Sequence, residues 1–314
     1  MQLSIIVPVR NEIEFIEQSF CSIVQSGPDG KEVFFVDGMS NDGTYEWLKG
    51  AIKDVSDCYL EKNEKKYVSS GFNSVFPKTK GKYVARLDGH SLYPSGYFEN
   101  AIEILEQDEA DVVGGPAKHV GHTWRGETIA RCMMHSFGVG LSSFRTEREK
   151  KYVDTVPFPI YKRSVLEDVG LYDEDLVRNQ DDELNCRCRA KGYRVLMDPS
   201  LESKYYVREN LGDLWQQYFQ YGLYKPLVFK KVSQGRRWYH LVPAVFTVLL
   251  PLSMGLSLFH WSFLLPAGTY LMLLIIIPAL IQNSMRKKLY SMLVFPCLHF
   301  GYGLGFIIGL LKKY

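Results

Sequence analysis

Along the first two hundred residues, short apolar runs alternate with stretches whose apolar positions recur every three or four residues. Leu3 to Val7 is apolar and rich in β-branched residues, and Pro8 closes it. Ile16, Phe20, Ile23 and Val24 follow at helical spacing, which predicts a strand–loop–helix unit. The pattern returns at Glu32–Val36, followed by Tyr45, Leu48 and Ile52. A weaker strand at Asp57–Leu60 precedes a segment from Asn63 to Lys80 that is helical in its middle. A strand from Lys82 to Asp88 leads to an amphipathic helix over Gly96–Gln107, and a short strand follows at Asp111–Gly114. Further on, the spacing predicts helices over Ser164–Val169 and from Arg178 to a stop at Gly192, then a strand at Tyr193–Met197. Strands alternating with helices at this interval predict an α/β fold, a mainly parallel sheet with helices on both faces. Residues 117–153 break the rhythm, and their glycines and serines read as a loop covering a site.

Beyond residue 238 the periodicity gives way to three apolar runs, at about 241–259, 263–281 and 292–311. Each approaches the roughly 20 residues a helix needs to cross a bilayer. None has an Asp, Glu, Lys or Arg in its interior. Arg236 and Arg237 before the first run, and Arg286, Lys287 and Lys288 between the second and third, assign those segments to the cytoplasmic side. A crossing third run would put Lys312 and Lys313 on the wrong side for that rule. Pro296 and glycines 301, 303, 305 and 309 permit a kinked or re-entrant segment instead, so two or three spans are expected. The chain thus divides into an α/β domain over 1–225, a basic and aromatic juxtamembrane segment over 226–240 and a membrane domain over 241–314. Placement in the cell's inner (plasma) membrane, multi-pass and with the α/β domain in the cytoplasm, is the corresponding expectation.

Charge and cysteine content narrow the classes. A net charge of +2 over 314 residues gives no footprint for nucleic acid. The six cysteines form no Cys-x-x-Cys pair, and Cys186 and Cys188 face different sides of one helix, so reduced thiols are expected. The first residues read as a buried strand and not as a leader.

The candidate chemistry gathers where predicted strands end, which is where open α/β sheets bind ligands. The first strand delivers Arg10, Asn11 and Glu12. The second delivers Asp37 into Gly-Met-Ser-Asn-Asp-Gly-Thr44, where Asp37 could accept hydrogen bonds from a nucleobase or ribose and turn chemistry accounts for the rest. The strand at 82–88 ends in Asp88-Gly-His90. An Asp and a His two apart suit a divalent cation, Gly89 permits a sharp turn between them, and a polar turn explains the pair as well. Neither Gly-x-Gly-x-x-Gly nor Gly-x-x-x-x-Gly-Lys-Ser/Thr occurs in the first two turns, so dinucleotide and P-loop cradles are missing there. Asp181 stands at a loop-to-helix junction as a candidate general base. Helix-dipole preference is the competing account of Asp181, Asp182 and Glu183.

Taken together, Val7-Pro-Val-Arg-Asn-Glu12, Val36-Asp-Gly-Met-Ser-Asn-Asp-Gly-Thr44, Arg86-Leu-Asp-Gly-His90 and Gln180-Asp-Asp-Glu-Leu184 resemble the family 2 glycosyltransferases. The resemblance covers roughly residues 1–240, with the motifs in order. The spellings at 86–94, 178–185 and 217–222 are similar to the bacterial succinoglycan-type membrane branch. The resemblance implies a GT-A fold and a sugar transferred from a nucleotide-sugar, a UDP-sugar by expectation, with inversion. A lipid-linked saccharide is the expected acceptor, because membrane spans hold the site near a substrate confined to the bilayer surface, in exopolysaccharide or other surface-glycan synthesis. It implies that Asp37 binds the base, with Pro8, Arg10, Glu12 and Arg86 lining the nucleotide-sugar pocket. Asp88 and His90 would bind ribose and a Mn²⁺ or Mg²⁺ ion, and Asp181 would take the acceptor's proton. His90 departs from the wider family's second Asp. Gln180 and Asp182 are placed near acceptor or donor. Gln234-Gly-Arg-Arg237-Trp238 also resembles the Gln-x-x-Arg-Trp signature of processive synthases, and a juxtamembrane basic patch is its other reading. A processive polysaccharide synthase and a non-catalytic membrane scaffold are the alternatives.

Overall fold

A computed structural model describes residues 2–140, 149–232 and 236–312. The chain forms two compact units, residues 1–118 with 143–205 and residues 119–142 with 206–314. In chain order the strands are β1 (Leu3–Val9), β2 (Glu32–Asp37), β3 (Cys58–Lys62), β4 (Tyr83–Arg86), β5 (Ser91–Leu92), β6 (Val112–Gly114), β7 (Ala117–Val120), β8 (Lys151–Tyr152), β9 (Ile160–Lys162), β10 (Val195–Met197) and β11 (Ser203–Tyr206). The helices are α1 (Ile16–Val24), α2 (Thr44–Ala51), α3 (Val68–Val75), α4 (Tyr97–Glu106), α5 (Trp124–Met133), α6 (Ser136–Val139), α7 (Arg163–Val169), α8 (Gln180–Ala190), α9 (Leu211–Lys231), α10 (Val242–Leu256), α11 (Leu265–Ile281) and α12 (Met285–Leu311).

The first unit is built on a sheet of order β3-β2-β1-β4-β9-β6-β10-β8. β3, β2, β1 and β4 pair in parallel, as do β6 and β10. Side chains alternate across each strand, and that alternation divides the core. Leu3, Ile5 and Val7 of β1, with Val33 and Phe35 of β2, meet Ile16 and Phe20 of α1, Leu48 of α2 and Phe98 of α4 on one face. Ile6 of β1, with Phe34 and Val36 of β2, meets Phe72 of α3, Leu166 of α7 and Leu184 of α8 on the other. Helices thus cover both faces, as the periodicity predicts.

One strand runs against the expected direction. β9 lies antiparallel between β4 and β6, with Ile160 opposite both Ala85 and Val113. Pro157 and Pro159 hide it in the sequence, since prolines argue against a central strand and here stand just outside it. A second, small sheet has the order β5-β11-β7.

The region expected to be a loop contains α5. Thr123 caps that helix by accepting from Gly126 N at 3.2 Å, and Glu209 accepts from His122 N at 2.8 Å and Gly126 N at 3.1 Å. His119 is a buried strand residue and His122 stacks on Tyr206 at 4.2 Å.

In the second unit the three apolar runs become three helices. α10 has 15 residues and is about 22 Å long, short of the ~30 Å hydrocarbon core. Residues Trp261–Ile281 and Met285–Leu311 are long and apolar enough to cross a membrane. α12 runs unbroken through Pro296, and its glycines serve contact instead of bending. A methyl at Gly305 would stand 2.0 Å from Phe219 O of α9, and one at Gly303 would stand 2.4 Å from Pro243 O of α10.

Candidate active site

The loops that follow β1 and β2 are laced together by the polar residues of their motifs. Asn11 N donates to Ser40 Oγ at 2.9 Å, and Asn41 N donates to Asn11 Oδ1 at 3.0 Å. Glu12 N donates to Thr44 Oγ1 at 2.9 Å, and Ile13 N to Asp42 Oδ2 at 3.1 Å. Burial opposes the charge on Asp42, but hydrogen bonds from the Thr44 side chain and backbone and from Ile13 outweigh it and hold the carboxyl below its ordinary range. Asn11, Ser40, Asn41, Asp42 and Thr44 are therefore occupied in shaping the loops. Asn11 and Met39 take left-handed backbone angles, φ 56° and 60°, to complete them. Strain of this kind concentrates where a binding loop must hold one shape.

The side chains of Arg10 and Glu12 and one oxygen of Asp37 stay outside that lacing. Arg10 is exposed, and Pro8 is half-buried near the end of β1. Asp37 is 2% exposed, and Ser40 N donates to its Oδ2 at 3.0 Å. Its Oδ1 is buried with no hydrogen-bond partner among the described residues, as are Glu12 Oε2 and Arg86 Nε. A buried polar atom without a partner costs about 1–3 kcal/mol, a debt that a bound polar ligand removes.

β4 supplies the centre of the site. Arg86 is buried, with Nη2 2.8 Å from Asp88 Oδ1 and Nη1 3.5 Å from Asp181 Oδ2. Burial works against the guanidinium's charge, and the Asp181 and Asp88 carboxylates outweigh it, so the group stays cationic. Asp88 N donates to Tyr93 Oη at 3.1 Å, which fixes the chain just past the strand. His90 Nδ1 lies 2.9 Å from Glu12 Oε1, and its ring meets Tyr205 edge-on at 5.0 Å. Gly89 is required for space and not for a left-handed turn: a methyl there would stand 2.7 Å from Val9 Cγ1 and 3.5 Å from Glu12 Cγ.

Asp181 enters from the first turn of α8, after Asn179 with φ 62°. Tyr172 Oη donates to Asp181 Oδ1 at 2.8 Å, so both carboxylate oxygens have a partner. Burial pushes the Asp181 carboxyl up, and it stays above its ordinary range although Arg86 and the Tyr172 hydrogen bond pull it down. The neighbouring carboxylates Asp88 and Asp182 add to the rise. A carboxylate poised closer to neutrality is the better proton acceptor.

The structure therefore brings Glu12 to His90, and Arg86 to Asp88 and Asp181, while Asp37 ends the strand next to β1. Gln180 is buried and Asp182 half-buried in the same helical turn as Asp181. Arg237 and Trp238 are exposed residues of the second unit, and Gln234 lies outside the described residues. Tyr172 is a partner of the candidate base that sequence reasoning missed. It stands nine residues before Asp181, in a stretch without periodicity or motif.

Residues 4–170, over half of the chain, match the family model described as glycosyl transferase family 2. The chain belongs to that family. Among its relatives is the succinoglycan biosynthesis protein ExoA of Rhizobium meliloti (strain 1021), 28% identical over 272 residues, 85% of this chain and 81% of the relative. A second relative is the dolichyl N-acetyl-α-D-glucosaminyl phosphate 3-β-D-2,3-diacetamido-2,3-dideoxy-β-D-glucuronosyltransferase of Methanococcus voltae. It is 25% identical over 325 residues, 99% of this chain and 97% of its own. The fold is similar to the mannosyltransferase PcManGT from Pyrobaculum calidifontis, solved with GDP-Man and Mn²⁺. The TM-score is 0.64 at 15% identity, over 98% of this chain and 87% of that one. It is also similar to residues 1–349 of S. aureus TarS, at a TM-score of 0.56 and 14% identity over 100% and 93% of the two chains. This family 2 protein is thus a glycosyltransferase with a GT-A fold, and two of its C-terminal helices are long and apolar enough to span a membrane.

Proposed function

We propose that this glycosyltransferase moves a sugar from a UDP-sugar to a lipid-linked saccharide, with inversion at the anomeric carbon, in exopolysaccharide or related surface-glycan synthesis. The observation that carries the reading is Arg86 joining Asp88, at the donor end of the site, to Asp181, a partly buried carboxylate with a raised pKa. In the proposed step the acceptor hydroxyl oxygen attacks the anomeric carbon and the bond from that carbon to the diphosphate breaks. The hydroxyl proton passes to Asp181, a contribution of about 10²–10⁴-fold for a positioned base. Arg86 keeps Asp181 ionised until the proton arrives. Asp37 Oδ1, buried with no hydrogen-bond partner among the described residues, would accept a hydrogen from the nucleobase. Among the solved neighbours S. aureus TarS 1–349 holds UDP and PcManGT holds GDP-Man, which supports a nucleotide-sugar donor and puts both nucleotides in the test.

The donor set suits a divalent cation shared with substrate. No group of three or more His, Cys, Asp or Glu side chains encloses an ion among the described residues. Magnesium-type sites are commonly of this kind, with one or two protein ligands and phosphate oxygens supplying the rest. Asp88 and His90 would hold Mn²⁺ or Mg²⁺, and Glu12 orients the His90 ring through Nδ1, the support that ligating histidines ordinarily have. A bound ion neutralises the charge that develops on the departing diphosphate. Membrane residence, with the site on the cytoplasmic side of the inner membrane, is proposed from the apolar helices and from Arg236, Arg237 and Arg286–Lys288.

Turnover of a panel of UDP- and GDP-sugars, by membranes carrying wild type or Asp181→Asn with lipid extract as acceptor, tests the reading. A lipid-soluble product is expected with one donor, reduced about 10²–10⁴-fold in the variant and lost when the cation is chelated. Transfer that survives Asp181→Asn would remove the base. Equal activity on soluble sugars after deleting residues 239–314 would remove the lipid-linked acceptor.

A further inference from the structure

Helix α12 has the length and composition of a membrane span, as does the Trp261–Ile281 segment packed on it, whereas α9 and α5, which also pack on it, carry exposed polar residues. α9 runs parallel to it at backbone contact. Methyl groups at Gly301, Gly305 and Gly309 would stand 3.4, 2.0 and 2.2 Å from the carbonyl oxygens of Trp215, Phe219 and Leu223. Both helices advance by four residues between contacts, so the small-residue seam fixes their register. Cys297 Sγ donates to Leu211 O at 3.4 Å, which sets the start of α9 beside the middle of α12. At that level Asn210 Nδ2 donates to Asp213 Oδ2 at 2.7 Å, and Asp213 and Gln216 are exposed. The first half of α12 is flanked by α5: Lys287 pairs with Glu127, and Cys132 Sγ donates to Ser291 Oγ at 3.4 Å. Arg125, Glu127 and Arg131 of α5 are exposed.

A vertical α12 would carry Asp213 and Gln216 into hydrocarbon as exposed polar groups, where ionisable side chains are expensive. We propose that α12 does not cross the bilayer but lies along one of its surfaces, with both ends on the same side. Its exposed apolar residues, among them Leu289, Leu293, Leu304, Ile308 and Leu310, fall within an arc of roughly 160° at the helical step and face the acyl chains of a single leaflet. α5, α9, α10 and α11 pack on the rest of its surface. Both ends are cationic, Arg286 to Lys288 at the start and Lys312 at the finish, so lying flat brings both to the anionic headgroups. It also removes the conflict between Lys312 and the positive-inside rule. α10 and α11 are left as the elements that enter the hydrocarbon. This inference rests on the membrane residence proposed above.

Single cysteines at Met285 and Lys312, both exposed, test it in full-length protein whose exposed native Cys21 is replaced by Ser. Sealed vesicles are treated with a membrane-impermeant maleimide, before and after detergent. Both cysteines are expected to react from the same face, to within about twofold. Reaction of Met285→Cys and Lys312→Cys from opposite faces would overturn the inference, as would protection of Lys312→Cys from both faces until detergent is added. Release of the wild type from vesicles by alkaline carbonate would instead remove the membrane reading, and this inference with it.

Discussion

Asp181 has two oxygens and two partners, and the second partner makes its role measurable. The Tyr172 hydroxyl stabilises the ionised carboxylate, so losing it raises the Asp181 pKa further. A base must be deprotonated to act, so activity is expected to rise with pH through a pKa above the usual carboxylate range. In Tyr172→Phe that acid limb should move to higher pH, with kcat reduced about tenfold near neutrality and KM for the donor nearly unchanged. A limb that stays where it is would mean that Tyr172 does not act on the base. The linkage to stability has the opposite sense. A carboxyl whose folded pKa is raised costs stability as pH climbs from the unfolded value through the folded one, so ionising Asp181 weakens the fold. Asp37, Asp88 and Asp181 could be singled out as candidates in the sequence because each stands at an element boundary with its own motif. Tyr172 could not, because its partner is fixed by tertiary packing: Phe72 holds the ring edge-on at 4.8 Å and no local pattern records that contact.

At the scale of elements, glycine has opposite meanings in neighbouring helices. Gly305 of α12 abuts the α9 backbone, whereas Gly255 of α10 has nothing within 4 Å of where a methyl would go. Gly305→Ala is expected to destabilise by about 1–3 kcal/mol through overpacking. Gly255→Ala is expected to stabilise by up to about 1 kcal/mol from helix propensity alone. Chemical denaturation of the two variants in one detergent decides it, and equal signs would refute the packed seam. The same contrast shows what periodicity conveys. β1 and β2 were legible because their alternation divides a core between two faces. β9 was obscured by its flanking prolines, and α5 by the Gly, Thr and Arg of its first turns. α9 carries glutamines, tyrosines and a proline that make sense only against α12. Each missed element owes its place to a partner far along the chain.

For the whole molecule, the division into two units makes a claim about where a ligand acts. Pro8, Arg10, Glu12, Asp37, Arg86, Asp88, His90 and Asp181 all belong to the first unit, and the long apolar helices to the second. A nucleotide that binds only the folded first unit should stabilise that unit by mass action, about 2.7 kcal/mol at a hundredfold excess over Kd. The loops laced after β1 and β2 and the turn after β4 are where binding would suppress opening. Hydrogen exchange of the full chain with UDP and Mn²⁺ is therefore expected to protect residues 8–13, 37–44 and 86–90 and leave α10, α11 and α12 unchanged. Chelation should reduce the effect at 86–90 first, because Asp88 and His90 are the proposed cation ligands, while protection at 37–44 persists through Asp37. Asp37→Ala should produce the reverse order. Protection confined to the second unit, or loss of both segments together on chelation, would mean that base and diphosphate are not read by separate strand ends. The pocket assigned here to Asp37 would then have to be given up.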